Sequence, residues 1–320
     1  MAQVAPMSRQ KATREAGMVS QGRQNVSFES QGTTCAATLH LPEESDHQPA
    51  PTIVMVHGWG GTQLLLVTHF IEAFNAAGFA VLTFDYPGWG DSEGTPRHTI
   101  NPWKREQVVE HAIAHARTLD QVDENRIVLW GTSFGGGHVV KIASKHPELC
   151  GAIAQVPMLD GIRAVTAVPF TRMLRFGWDM ARDLARPGRT HYIPAIAPKG
   201  EYASMDRDGA WRIDAWVASH LDEEYDNRVS AASLATMGFY RPFKYLKSIR
   251  IPTLIIGATR DTVAPFDRRK VESQASDQVS VKTIDANHFD PYLQPWYDTN
   301  IGLQLEFLRA LVSTNDTATT

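Results

Sequence analysis

The chain has 320 residues, with 31 lysines and arginines against 35 aspartates and glutamates, which gives a formal net charge of −4. This near balance excludes a strong attraction to nucleic acid or to an anionic membrane as the main function. Hydrophobic residues make up 43% of the sequence and charged residues 21%, which excludes a disordered chain and predicts a large core. The sequence contains neither the apolar core of a signal peptide nor a run of about 18 apolar residues, so we expect a cytoplasmic protein with no membrane span.

The first elements in chain order are a polar tail and two edge strands. Residues 1–22 are polar and aperiodic, which predicts a flexible N-terminal tail. Residues 25–30 and 34–41 alternate apolar and polar side chains, as half-buried strands at an antiparallel edge do. Short, nearly continuous apolar runs follow, and such runs are typical of strands buried on both faces of a parallel sheet. These runs are 52–57, 79–85, 126–131, 151–156, 252–258 and 279–284.

Segments with helical spacing separate these strands. Thr62 is a candidate N-cap for a helix that would end before Gly78, and Asn101 with Pro102 opens a second helix. An apolar stripe through residues 301–311 predicts a third. The alternation of strands and helices indicates an α/β protein with right-handed crossovers.

One stretch, residues 157–247, interrupts this alternation because it contains no convincing strand. It includes the helical pattern WRIDAWVASHL, and strands resume at residue 252 as if nothing had intervened. We therefore predict an α/β core formed by residues 23–156 and 248–320, with a helical lid inserted between them. The alternative is a second domain of unrelated purpose. Aromatic residues that would line a pocket in this stretch are Trp178, Tyr192, Tyr202, Trp211 and Trp216.

The strongest motif is Gly-Thr-Ser-Phe-Gly at residues 131–135, between a predicted strand and a helical run. In that context Gly-x-Ser-x-Gly predicts a nucleophile elbow, a tight turn that exposes a strained serine, here Ser133. The glycines are needed because a side chain at either position would collide with the turn. The alternative is an ordinary turn of small residues with a helix-capping serine.

A serine hydroxyl is a poor nucleophile at neutral pH, so it needs a base and an acid that orients the base. Asp261 follows the run at 252–258 and His288 follows the run at 279–284, which would place both near Ser133 at the carboxyl edge of the sheet. We predict these three as the catalytic residues. The alternatives are a turn-forming Asp261 with Asp160 or Asp267 as the acid, and a surface His288 in a turn flanked by Asp285 and Asp290.

A third motif, His-Gly-Trp-Gly-Gly at residues 57–61, follows the strand at 52–57. Acyl transfer needs hydrogen-bond donors aimed at the oxyanion of the tetrahedral intermediate. The backbone N–H groups of Trp59 and Phe134 are the candidates, and the glycines around Trp59 allow the main chain to approach a substrate closely. A plain glycine turn is the alternative.

These motifs resemble those of the serine α/β-hydrolase superfamily in order and context, over about 230 residues outside the insertion. They are HGWGG, DYPGWGDSEG, GTSFGG, ATRDTVAP and ANHFD. More narrowly, FDYPGWGDSEG, NPW and AQVPMLDG resemble a lid-bearing group of bacterial and fungal hydrolases that includes the fungal polyketide transferases. The loop after FDY often reads Arg-Gly in similar proteins, whereas Pro87 stands here. We therefore predict no binding role for that position.

The resemblance implies an α/β-hydrolase fold, with about eight mostly parallel strands flanked by helices and a helical lid. It also implies activity on esters or thioesters without a cofactor. A serine at the elbow argues against haloalkane dehalogenases and epoxide hydrolases, which use aspartate there. His111 and His115 have a spacing that can hold zinc, but Ala112 breaks the His-Glu-x-x-His pattern, so we predict no metal.

We therefore predict a serine hydrolase whose partner is a small molecule with a medium or large hydrophobic acyl group. The prediction includes no nucleic acid and allows a homodimer. An acyltransferase with an alcohol acceptor and a carbon–carbon bond hydrolase are the catalytic alternatives. A ligand-binding receptor on a hydrolase scaffold is the non-enzymatic one.

Overall fold

The structure is a computed structural model that describes residues 22–43, 49–63, 68–186, 188–207 and 225–318. Its main sheet has eight strands in the order β1-β2-β4-β3-β5-β6-β9-β10. Only the β1–β2 and β2–β4 pairs are antiparallel, so the predicted mostly parallel sheet with an antiparallel edge is confirmed. The strands are β1 (Arg23–Ser30), β2 (Thr33–His40), β3 (Ala50–Val56), β4 (Ala80–Phe84), β5 (Val122–Thr132), β6 (Gly151–Gln155), β9 (Thr253–Ala258) and β10 (Val279–Ile284).

Helices flank both faces of the sheet. They are α1 (Thr68–Ala76), α2 (Pro102–Ala116), α3 (Phe134–Ala143), α4 (Gly161–Thr166), α5 (Phe170–Leu184), α6 (Arg268–Glu272) and α7 (Trp296–Ala318). Strand β3 is buried throughout, and its side chains alternate between two apolar clusters: Ile53 faces one and Val54 the other. Because successive strand side chains point to opposite faces, this run serves both layers of the core.

The helix starts follow from local hydrogen bonding. Asn101 caps α2 by accepting the N–H groups of Trp103 and Lys104, each at 3.1 Å, and Pro102 occupies the first turn. Thr62 does not lie in a described helix, since α1 begins at Thr68 and residues 64–67 lie outside the described residues. In the ranges described, no helix combines the length and apolar character needed to cross a membrane.

Residues 157–247 leave the sheet after β6 and return to β9, which pairs directly with β6. The expectation that this stretch contains no strand is wrong, because β7 (Tyr192–Pro194) and β8 (Arg228–Ser230) form a small antiparallel sheet. Helices α4 and α5 and two 3-10 helices, Ala231–Phe239 and Pro242–Ser248, complete the described part. The predicted helix WRIDAWVASHL, with Trp211 and Trp216, lies outside the described residues, as do residues 1–21 of the predicted tail over residues 1–22.

Candidate active site

Ser133 occupies the turn between β5 and α3, with φ 55° and ψ −120°. Non-glycine residues rarely adopt such a backbone conformation, and it persists only where the surroundings enforce it. The neighbouring glycines supply the room: a Cβ at Gly135 would lie 2.2 Å from the Val56 carbonyl oxygen, and one at Gly131 would lie 2.6 Å from Val139 Cγ2. The Ser133 hydroxyl makes no capping hydrogen bond to α3, so the helix-capping alternative does not describe it.

A chain of hydrogen bonds joins Ser133, His288 and Asp261. The His288 Nε2 atom lies 2.9 Å from Ser133 Oγ, and Nδ1 lies 2.6 Å from Asp261 Oδ2. His288 and Asp261 are 1% and 7% exposed, so water competes little for these contacts. Because Nδ1 faces a carboxylate, it carries the ring proton, and Nε2 is left to accept the proton of the serine hydroxyl.

Asp261 is fixed independently of the histidine. Its second oxygen, Oδ1, accepts the N–H groups of Val263 at 2.8 Å and Ala264 at 2.7 Å. Asp160 and Asp267, the alternative acids, and Asp285 and Asp290, the residues that flank the His288 turn, have other partners. Asp160 caps α4 and pairs with Arg241, Asp267 caps α6, Asp285 accepts from Thr259, and Asp290 accepts from Asn287.

The His57–Gly61 loop lies directly against Ser133. A Cβ at Gly58 would be 3.2 Å from Ser133 Cβ, and Gly60 has φ +69°, which favours glycine. The Phe134 N–H belongs to the peptide that follows Ser133, and the Trp59 N–H belongs to the Gly58–Trp59 peptide in the neighbouring loop. Among the hydrogen bonds of the described residues, neither N–H has a protein acceptor.

An apolar cavity of about 290 Å³ opens beside Ser133. One helix face supplies part of its wall, with Met173, Phe176 and Met180 at helical spacing on α5. Met158, Met205 and Met237 line it from other segments. Arg207 is the only charged side chain among the described residues of the lining. Such a cavity suits a flexible apolar group, since methionine adapts to irregular shapes.

Of the aromatic residues expected to line this cavity, Trp211 and Trp216 lie outside the described residues, and the three described ones do not line it. The Trp178 side chain is 72% exposed, Tyr192 donates to the Arg97 carbonyl, and Tyr202 donates to Asp179. The sequence did not lead us to predict the cavity wall formed by Met173, Phe176 and Met180, although their helical spacing is visible in the sequence.

Sequence reasoning also missed a buried polar network beneath the elbow. Gln155 Oε1 accepts from Asn300 at 2.6 Å and from Gln304 at 2.8 Å, while Gln155 donates to Thr132. Thr132 in turn contacts the Tyr292 hydroxyl, whose pKa is raised by burial. Because every polar group here has a partner, the network fixes β5, β6 and α7 relative to one another.

The two histidines with zinc spacing do not form a metal site. His111 Nδ1 lies 2.8 Å from Ser30 Oγ, and the His115 ring stacks on Phe28. Within the described ranges, no group of three or more potential ligand side chains comes together.

Comparisons with known proteins give a consistent result. A family model described as serine aminopeptidase, S33, matches residues 47–288. The quorum-quenching protein AidA of Acinetobacter baumannii is 32% identical over 92% of this chain and 97% of its own length. A thiohydrolase of Eupenicillium brefeldianum is 27% identical over 78% of this chain and 81% of its own.

A solved structure shows the same fold. The α/β-hydrolase GrgF from Penicillium has a TM-score of 0.76 at 20% identity, with 91% of this chain and 99% of that chain covered. The protein of that name is called a polyketide transferase and is 27% identical over 35% of this chain and 38% of its own length.

Proposed function

Because the chain belongs to the serine aminopeptidase S33 family of the α/β-hydrolase superfamily, we propose that it is a serine hydrolase acting on an ester or thioester of a medium or large hydrophobic acyl group. The observation that carries the proposal is the hydrogen-bonded chain Asp261–His288–Ser133 at the mouth of an apolar cavity. The family relationship makes it an enzyme of the α/β-hydrolase type, and the acyl substrate and the residue roles are our inference.

In the proposed mechanism, Ser133 Oγ attacks the substrate carbonyl while His288 Nε2 takes the hydroxyl proton. The oxyanion that forms accepts hydrogen bonds from the Trp59 and Phe134 N–H groups, a contribution of roughly 2.7–4 kcal/mol for each donor. His288 then gives its proton to the departing alcohol or thiol, which leaves an acyl-enzyme. A water molecule deprotonated by His288 attacks the acyl carbonyl, and the returning proton restores Ser133. Asp261 stabilises the imidazolium at both stages.

The cavity lining favours an acyl group over a peptide N-terminus. An aminopeptidase must bind the free α-ammonium of its substrate, for which a carboxylate is the usual partner. Among the described lining residues there is no aspartate or glutamate. The apolar walls instead match a chain of methylene groups, each worth about 0.8 kcal/mol when buried.

We also infer that residues 157–247 act as a lid over the α/β core. Support comes from α4 and α5, which lie in this segment and provide Val165, Met173 and Phe176 to the cavity. A lid of this kind would exclude water from the acyl-enzyme and set the shape of the acyl pocket.

An acyltransferase is the second candidate. It would use the same residues and would resolve the acyl-enzyme with an alcohol instead of water. The similarity to a protein called a polyketide transferase supports this second candidate. An added alcohol that raises turnover and gives the transferred ester would select it over hydrolysis.

The function is tested by hydrolysis of matched acyl esters and thioesters with short, medium and long chains. We expect kcat/KM to rise from the short to the medium and long chains and to vanish in Ser133→Ala. Ser144→Ala, at the far end of α3, is the matched control and should keep full activity. Folded protein that hydrolyses none of the series, or equal rates for Ser133→Ala and the parent chain, would contradict the proposal.

A further inference from the structure

Arg105, on α2, lies beneath the His57–Gly61 loop and is 3% exposed. Its Nη1 atom donates to the Gly58 carbonyl oxygen at 3.2 Å. Its guanidinium lies 4.2 Å from the centre of the Tyr86 ring and 5.1 Å from that of Trp89. Aromatic faces attract such a cation and hold it in place.

A buried guanidinium is costly unless a carboxylate compensates it. None of the described carboxylates forms an ion pair with Arg105, and its Nε and Nη2 atoms have no hydrogen-bond partner among the described residues. Burial lowers its pKa to about 10, so the side chain stays charged at neutral pH. Packing alone does not explain a buried charge whose one hydrogen bond goes to a loop at the candidate active site.

The Gly58 carbonyl belongs to the same peptide unit as the Trp59 N–H. In a trans peptide the C=O and N–H bonds point in opposite directions within one plane, so fixing one fixes the other. His57 Nδ1 and the Gly61 N–H also approach this carbonyl, but at 3.4 and 3.5 Å. Arg105 therefore provides the shortest contact that sets the orientation of the peptide.

We propose that Arg105 is a positioning residue that aims the Trp59 N–H at the oxyanion by holding the Gly58 carbonyl. The inference rests on the proposed function, since it assigns a purpose to a contact beneath the proposed oxyanion hole. The cation also polarises the peptide, which strengthens its N–H as a donor. Arg105 itself touches neither the substrate nor Ser133.

The test compares Arg105→Met with Arg105→Lys, and Lys104→Met serves as the control at the exposed neighbouring position. Removing an oxyanion donor outright costs about 10²–10³-fold in kcat, and a misaimed donor should cost less. We expect Arg105→Met to lower kcat about tenfold to a hundredfold. We expect Arg105→Lys, which keeps a charged donor, to recover part of that loss, and Lys104→Met to match the parent chain.

The discriminating readout is inhibitor affinity. One inhibitor is a trifluoromethyl ketone that carries the best-hydrolysed acyl chain of the ester series. Ser133 Oγ would add to its carbonyl and form an oxyanion, whereas the ether with the same chain would bind the cavity without forming one. Arg105→Met should lower the affinity for the ketone by the same factor by which it lowers kcat/KM. The affinity for the ether should stay within about twofold of that of the parent chain. If Arg105→Met does not fold, Arg105→Lys decides by the same ratio of ketone to ether affinities.

Equal losses of ketone and ether affinity, or unchanged kcat in a folded Arg105→Met protein, would overturn the inference and leave Arg105 as a packing residue. These results are distinct from failure of the proposed function. If the proposed function were wrong, the parent chain itself would neither hydrolyse the acyl series nor bind the ketone more tightly than the ether.

Discussion

Two residues of the candidate triad, Ser133 and Asp261, are held by contacts outside the triad. Ser133 is fixed by its backbone, where its N–H donates to the Gln155 carbonyl at 2.9 Å and its carbonyl accepts from Met158 at 2.9 Å. Asp261 is fixed by two backbone N–H groups. Such support keeps reacting groups aligned before substrate arrives, which is how an enzyme lowers the cost of orientation.

We expect substitution of Asp261 to cause a large loss of activity with little loss of structure. Asp261→Asn should lower kcat by roughly 10³–10⁴-fold, because an amide can donate to Nδ1 and favour the wrong tautomer of His288. Asp267→Asn, at the exposed cap of α6, is the matched control and should retain kcat. Steady-state kinetics on a medium-chain ester measure both, and a loss below about tenfold in Asp261→Asn would contradict the assigned role.

Sequence reasoning brought together Ser133, Asp261 and His288 because each follows a strand whose end lies at one edge of the sheet. The hydrogen bonds join the same three residues. Arg105 was not predicted, since its contact with Gly58 depends on how α2 packs under a loop 47 residues earlier in the chain. No local pattern carries such a contact.

At the scale of elements, the elbow between β5 and α3 has no room for added atoms. Gly135→Ala would place a Cβ 2.2 Å from the Val56 carbonyl oxygen, so backbone must move. We expect it to lower the free energy of unfolding by about 2–3 kcal/mol. Gly302→Ala in α7 is the matched control, because nothing lies within 4 Å of the new Cβ. It should be neutral or stabilise by up to about 1 kcal/mol.

Urea unfolding of both variants measures the difference. A Gly135→Ala protein as stable as the parent chain would show that the elbow can accommodate a Cβ. That result would contradict the lack of room at Gly135.

Helix α5 has two faces with different predicted roles. Met180 lines the cavity, whereas Trp178 points outward and is 72% exposed. Met180→Trp should fill part of the cavity and lower kcat/KM for long-chain esters by about tenfold or more, while short-chain esters are nearly unaffected. Trp178→Ala is the control and should leave the chain-length profile unchanged. Equal losses for short and long chains in Met180→Trp would contradict the acyl pocket.

The periodicity of α7 illustrates what an apolar pattern leaves out. Of the predicted stripe, Ile301, Leu308 and Leu311 are buried, and Leu305 is partly buried against the same cluster. Asn300 and Gln304 on the same helix are fully buried as well, because Gln155 and Trp130 supply their hydrogen bonds from the sheet. Burial of these amides depends on partners distant in sequence, so hydropathy alone assigns them to solvent.

At the scale of the whole molecule, the apolar runs located the strands of the main sheet, but they did not predict the order of the strands. The burial on both faces expected for residues 279–284 is wrong, because β10 is an edge strand and most of its residues are partly or fully exposed. The small β7–β8 sheet was not predicted, since three-residue strands such as Tyr192–Pro194 are too short for an alternating pattern. The path of the described part of residues 157–247 depends on contacts such as those of the Asp183 side chain with Ser230 and Ala232. These contacts join segments almost 50 positions apart.

Buried histidines predict acid sensitivity of the whole fold. Burial lowers the pKa of His57 to about 3 and that of His40 to about 4, and it lowers the pKa of His138 well below 6.5. The unfolded chain therefore binds more protons than the folded one once the pH falls below about 6.5, and stability is lost as the pH falls. Between pH 6.5 and 5 the expected loss is on the order of 2 kcal/mol for each histidine.

Urea unfolding at pH 7 and pH 5 tests this expectation. His40→Gln should reduce the difference between the two free energies of unfolding by on the order of 2 kcal/mol, because the unfolded variant no longer gains a proton at this position. A free energy of unfolding that does not change between pH 7 and pH 5 would contradict the neutral buried state of these side chains.

Covalent labelling tests whether Ser133 is an activated nucleophile. A fluorophosphonate reacts with activated serines, and intact mass with peptide mapping locates the adduct. We predict one adduct, on Ser133, that is lost in His288→Ala and retained in His146→Ala, a surface histidine. An adduct on another serine, or no adduct on folded protein, would contradict the assignment of Ser133, His288 and Asp261 as a catalytic triad.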